Sequence, residues 1–177
     1  MQTINKFYLL VLILFISCQN NTSDIQEFVE QEFPVEIIED AELIHTEFGK
    51  IKVKISAKKI ERFINSNPRL VFTDSIVVIF FDRNSDTLSN LQANKALINE
   101  TENLMHVSDN VILISSNGNK LETNHLSWDE KKEKIFTEEN VIITTDKEVI
   151  NAQGFVSDPD FIEYSLHKVN GVLSFNN

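Results

Sequence analysis

Leu91-Gln92-Ala93-Asn94-Lys95-Ala96 recurs thirty residues later as Leu121-Glu122-Thr123-Asn124-His125-Leu126. At the same offset, Asp109-Asn110-Val111-Ile112-Leu113-Ile114 recurs as Glu139-Asn140-Val141-Ile142-Ile143-Thr144. A weaker copy precedes these, in Ile55–Ile60 with Asp74-Ser75-Ile76-Val77. A fading one follows, in Ile150-Asn151-Ala152-Gln153-Gly154-Phe155 with Asn170-Gly171-Val172. Each unit reads as strand, polar turn, short strand, an acidic residue with Asn, then a strongly apolar strand. No unit can bury its own apolar face, so the units must stack or curl. The expected product is a long antiparallel sheet folded along its length into a two-layered roll.

The flanking sequence agrees. Lys50-Ile51-Lys52-Val53-Lys54-Ile55-Ser56-Ala57 alternates polar and apolar without a break, the pattern of a half-buried strand. Lys58-Lys59-Ile60 interrupts it and predicts a bulge or bend. Further strands are expected at Leu70–Phe72, Ile76–Phe81, Leu88–Ala93, Leu104–Val107, Val111–Ile114, Lys120–Leu126, Lys134–Phe136, Val141–Thr144, Val149–Ala152, Phe161–Leu166 and Val172–Phe175. Turn-forming clusters such as Asn117-Gly118-Asn119 and Ser157-Asp158-Pro159-Asp160 separate them. Many short strands at this spacing define an all-β domain.

Composition removes whole classes. In 177 residues there are only 4 Gly and 3 Pro, too few for collagen-like, linker-like or Pro-rich chains. With 42% hydrophobic residues, 13 of them Phe, the chain can bury a core. The net charge of −11 argues against nucleic acid and against a polybasic membrane patch. Residues 19–50 alone carry nine acidic residues and one Lys, whereas residues 51–177 are nearly balanced. The six basic residues between Lys50 and Arg62 form the one positive cluster, either a solvated strand face or an anion-binding surface.

The single cysteine, Cys18, rules out an intramolecular disulfide and a Cys-ligated zinc site. Its position is informative. Lys6 precedes an apolar run, Phe7 to Ile16, about half the length a spanning helix needs. A short basic segment followed by such a run describes a secretory signal peptide. It closes on Phe15-Ile16-Ser17-Cys18, which resembles a bacterial lipobox with Phe15 in the place of the usual Leu. Cys18 is read as the lipidated first residue of the mature chain, the alternative being an ordinary signal peptide. Polar residues from Gln19 to Asp24 follow as a tether, and Ile25 to Glu32 has near-helical apolar spacing before Pro34. The expected organisation is a lipoprotein signal peptide at 1–17, an anchor and acidic tether at 18–39, and a β-domain at 40–177.

No catalytic constellation stands out. His45, His106, His125 and His167 are scattered, with no metal-binding His spacing, no Gly-x-Ser-x-Gly elbow and no Gly-rich phosphate loop. Neither a cofactor nor an enzymatic activity is expected. Trp128 takes the repeat position of Ile98, so it reads as core packing or as a lipid contact. Ile76–Phe81, Val111–Ile114 and Val141–Ile143 lack polar alternates, although an antiparallel strand with one wet face should alternate. One face then lines an apolar groove, or the core is thick, or a neighbour covers it. The side chains expected inside, from alternation and the repeat, are Ala57, Val77, Ile79, Leu91, Ala93, Val111, Leu113, Leu121, Val141 and Ile143.

Leu43-Ile44-His45-Thr46-Glu47-Phe48-Gly49-Lys50, leading into Ile55-Ser56-Ala57, is joined by the repeated Leu-x-(Ala/Thr)-Asn-x-(Ala/Leu) and Asn-Val units. With Leu121–Asp129 and Ile150–Phe155, and in this order, they resemble the LptC family, the periplasmic component of the lipopolysaccharide export machine. The resemblance spans residues 40–177. Many family members keep a full transmembrane helix at the N-terminus, which this chain replaces with a short apolar run and Cys18. The resemblance implies a slit β-jellyroll, open and antiparallel, that carries acyl chains in its groove and catalyses nothing. It further implies attachment at the periplasmic face of the inner membrane of a Gram-negative bacterium. Its expected partners are lipopolysaccharide, the jellyroll of the inner-membrane ABC transporter's permease at the edge near Ile51, Val53 and Ile55, and an LptA-like periplasmic bridge at the edge formed by Val172, Leu173 and Phe175. Competing readings are a lipocalin-like or scaffold lipoprotein that moves nothing, and a glycan-active enzyme on a jellyroll; open sheet edges separate the roll from a closed barrel.

Overall fold

A computed structural model describes residues 33–174 apart from 65, 67 and 100. Ten strands follow one another without a helix among the described residues: β1 (Glu36–Glu47), β2 (Lys50–Arg62), β3 (Leu70–Phe81), β4 (Thr87–Ala93), β5 (Lys95–Asn99), β6 (Leu104–Ser115), β7 (Lys120–Asp129), β8 (Lys134–Thr144), β9 (Glu148–Ser157) and β10 (Tyr164–Ser174). They form one antiparallel sheet in the order β1-β2-β3-β4-β6-β7-β8-β9-β10, with β5 pairing β3 and β6 beside β4. The path begins at β1 and ends at β10, so the sheet does not close into a barrel.

A crease runs across this sheet. The β1–β2 ladder passes from Glu39↔Lys59 to Ala41↔Ala57 and leaves out Asp40 and Lys58. Between β2 and β3 the register slips around Lys58, Asp74 and Ser75. Asn94 separates β4 from β5. Asp109 and Asn110 are skipped in β6, Glu138 and Glu139 in β8, and Gly154 lies opposite His167 between β9 and β10. Asp40, Asp74, Ser75, Asp109, Asn110 and Gly154 all have positive φ, between 47° and 84°. Asp, Asn and Gly reach this left-handed region at low cost, and an extra residue there bends the strand. The acidic step of the sequence repeats, Asp74-Ser75, Asp109-Asn110 and Glu139-Asn140, is therefore where the ladder slips and one strand turns from the first layer into the second. Strands that the sequence reads as separate, such as Leu104–Val107 and Val111–Ile114, are the two arms of a single bent strand.

Bending brings together strands that are not neighbours in the sheet. Phe80 at the end of β3 meets Trp128 at the end of β7 edge-to-face, with ring centroids 5.4 Å apart. The buried hydrophobic side chains form one apolar cluster between the layers. The fold is thus the expected all-β, open antiparallel jellyroll.

Two boundaries differ from the sequence expectation. β1 begins at Glu36, ahead of residue 40, because its acidic outer face and the Asp40 bulge hide its alternation. Consequently β2, with Ile51, Val53 and Ile55, is not an edge strand. It is paired to β1 on one side and β3 on the other. The N-terminal edge is β1.

Candidate functional site

Register aligns the inner side chains into rows that cross the strands. In the layer containing β4, the row reads Leu43, Ile55, Val78, Leu91, Leu113, Leu121, Ile143, Ile150, Val172, one residue from each strand of the path. Nine strands at about 4.8 Å spacing make this apolar stripe about 38 Å long. It runs along the axis of the roll from one unpaired edge to the other. In the layer containing β5 the outermost row reads Leu70, Ile98, Met105, Trp128, Ile135, Ser157, Tyr164.

Of the side chains expected inside, Ala57, Leu91, Ala93, Val111, Leu113, Leu121, Val141 and Ile143 do face the interior and are buried. Val77 and Ile79 do not. In β3 the buried set is Ile76, Val78 and Phe80, and Val77 and Ile79 lie on the outer face beside Ser56, Gln92, Lys54 and Asn90. The run is apolar on both parities, so local alternation carries no sign. The repeat does: aligning Asp74-Ser75 with Asp109-Asn110 sets Ile76 and Val78 against Val111 and Leu113. Cys18 and Phe175 lie outside the described residues. Val172 and Leu173 sit on β10, 47% and 64% exposed, where one backbone edge has no neighbouring strand among the described residues. Phe33, Val35, Ile37 and Ile44 leave apolar surface exposed on and beside β1 as well.

The interior is packed shut. Phe72, Ile76, Val78, Leu113, Leu121, Ile135 and Ile143 show no solvent exposure, so no water-sized space adjoins them. A depression of about 510 Å³ lies instead at the crease, against the outward-facing Ile112, Glu122, Ile142 and Asn151.

Opposite the crease, polar contacts tie the two layers together. Lys52 on β2 pairs with Glu133 in the β7–β8 turn and, at 2.9 Å, with Glu47. His45 on β1 reaches Glu130 at 3.1 Å. The Ser89 hydroxyl donates to the Pro159 carbonyl, and the Asn119 amide donates to the Phe161 carbonyl at 3.4 Å. That loop swings Phe161 into the interior, fully buried against Phe155 and Tyr164. Partial burial works against the charge on Lys52, but Glu133 and Glu47 outweigh it and hold the ammonium above its usual range. The basic cluster of β2 is therefore a solvated face: Lys54 pairs with Glu42, Lys58 with Asp40, Lys59 with Glu61 and Arg62 with Glu36.

The histidines do not converge on a metal, and among the described residues no group of three or more His, Cys, Asp or Glu does. His106 and His125 stack 5.7 Å apart on the outside of β6 and β7. Burial, then the neighbouring His125, lowers the His106 imidazole below its ordinary value. Its Nδ1 lies 2.8 Å from the Ser127 hydroxyl.

One sheet creased into two layers, apolar between them and, among the described residues, unpaired at both ends, defines an open β-jellyroll whose interior runs from edge to edge. The chain matches the family described as lipopolysaccharide-assembly, LptC-related, over residues 7–171, and it belongs to that family. No curated protein matches it in sequence. Members of the family are components of lipopolysaccharide transport, periplasmic and associated with the inner membrane of Gram-negative bacteria.

Proposed function

We propose that the roll accepts the acyl chains of lipopolysaccharide from the jellyroll of the inner-membrane ABC transporter at the β1 edge and passes them to an LptA-like bridge at the β10 edge, without chemistry. The row from Leu43 to Val172 carries this reading. It is continuous, apolar and parallel to the roll axis, and it ends where backbone N–H and C=O groups invite an added strand. Docked strands would extend the stripe in both directions. Cys18, lipidated, would hold the domain at the membrane.

Because the inner residues exclude water, lipid enters only if the layers part. The side opposite the crease is the place to part them: its polar contacts are ion pairs and single hydrogen bonds, each worth about 0–1.5 kcal/mol, and its apolar contact, Phe80 on Trp128, is one an acyl chain could replace. The crease, with continuous backbone, acts as the hinge.

A photo-reactive residue at Leu113 tests the conduit and one at Leu173 tests the outgoing edge. Lipopolysaccharide captured at Leu113 in cells, with the bridge protein captured at Leu173, is the expected result. The closed interior also fits a scaffold lipoprotein that holds partners and moves nothing. That second reading wins if Leu173 captures a partner while no inner position captures lipid.

A further inference from the structure

Trp128 has a buried indole Nε1–H with no hydrogen-bond partner among the described residues, and the residue is only 8% exposed. The other inward polar side chains of its layer are satisfied. The Ser157 hydroxyl has its one proton within reach of both the Asp158 and the Glu163 carbonyls, each at 2.9 Å, and the Thr137 hydroxyl accepts from the Glu139 N–H. Trp128's neighbours offer it no strong acceptor: Met105, whose thioether accepts only weakly, and Ile135 flank it in the row, and Phe80 faces it from the other layer. A buried donor left unmade is costly, and a Phe in its place would keep the apolar contacts without that cost.

We propose that Trp128 binds the carbonyl oxygen of an ester- or amide-linked acyl chain, and so fixes how deep the lipid sits in the roll. This rests on the reading that acyl chains enter between the layers. Trp128 stands near the tied side, close to the turn carrying Glu130 and Glu133, so the chain beyond the carbonyl would run inward past Leu126 and Val107. A neutral oxygen suits a single N–H among apolar side chains. A phosphate does not, because it would bring a full negative charge among Met105, Ile135 and Phe80, where burial of an ion is costly.

Trp128 is the chain's only tryptophan, so it reports on itself. The full chain would be held in nanodiscs of ether-linked lipid and titrated with two single-chain lipids of equal length and headgroup, one acyl ester and one alkyl ether. Both should change Trp128 fluorescence, but only the ester should move the indole N–H resonance downfield. The Trp128→Phe variant, by calorimetric titration, should bind the ester about five- to tenfold more weakly than the natural chain and the ether equally well. Entry of both lipids with the same N–H shift would overturn the assignment and leave the conduit standing. Failure of either lipid to reach Trp128 or a photo-reactive Leu113 would overturn both.

Discussion

Exchanging Val78 and Ile79 for asparagine, one at a time, tests the inner face of the roll at adjacent residues. Both lose a β-branched side chain from the same strand, so the strand-propensity penalty is common to the two and cancels in their comparison. Val78 is wholly excluded from solvent, in the row between Ile55 and Leu91. Its replacement forfeits about 1.5–3 kcal/mol of apolar burial. It also buries an amide with nothing apolar Ile55 or Leu91 can offer it, at a further cost of about 1–3 kcal/mol. The expected loss is about 3–6 kcal/mol, from a total stability on the order of 5–15 kcal/mol. Ile79 faces outward between Lys54 and Asn90, where water reaches an amide, and its replacement should cost about 1 kcal/mol. Urea unfolding followed by Trp128 fluorescence separates these values. With a slope of about 2 kcal/mol per molar, Val78→Asn should lower the midpoint by about 1.5–3 M and Ile79→Asn by about 0.5 M. Equal losses, or the larger one at Ile79, would refute the parity of β3 and with it the inner row.

Other expectations follow from the same geometry. Lys52→Met should change stability by no more than about 1 kcal/mol, yet raise lipid capture at Leu113, because it removes both ion pairs of one side chain on the tied side; unchanged capture in the crosslinking assay would show that these contacts do not restrain the layers. His106, held below its ordinary value by burial and by His125, binds fewer protons folded than unfolded. Its contribution to stability is complete above about pH 6.5 and declines as pH falls from there toward the lowered value, so urea midpoints should fall across that window and do so less in His106→Gln. Gly154→Ala places a Cβ 2.5 Å from the His167 ring at a φ of +78°, and about 1–2 kcal/mol should be lost. Adding His167→Ala should restore part of that in thermal melts, whereas no restoration would leave the backbone conformation as the whole cause. Cys18→Ala should abolish incorporation of labelled palmitate in cells, and continued labelling would remove the lipid anchor from the reading.

The roll is legible in the sequence where a residue type has one physical reason to be there. The acidic-Asn steps at Asp109-Asn110 and Glu139-Asn140 mark bends, the first through a left-handed backbone that few other residues tolerate and the second through a slip of register, and the apolar positions after them then count inward to Leu113 and Ile143. It is illegible where two causes leave the same mark. Ile76–Phe81 is apolar on both faces, one from the core and one from cover by neighbouring outer side chains, so β3 could be read only by carrying register across from its neighbours. β1 fails for another reason. Its inner residues Ile38, Ala41 and Leu43 are interrupted by the Asp40 bulge and outnumbered by carboxylates that balance the lysines of β2. That pairing is long-range, and no local pattern announces it. The orphan N–H of Trp128 belongs to the same category, since a side chain's lack of a partner is visible only once every neighbour is in place.

The thirty-residue period has an architectural corollary. Each unit supplies one strand out and one strand back, which advances the sheet by two spacings, or about 10 Å. Both termini of the unit lie on the same side of the crease, so a duplication would splice in without disturbing either end of the molecule. The length of the apolar row could then be set by copy number within a single gene, while its two edge strands stay unaltered.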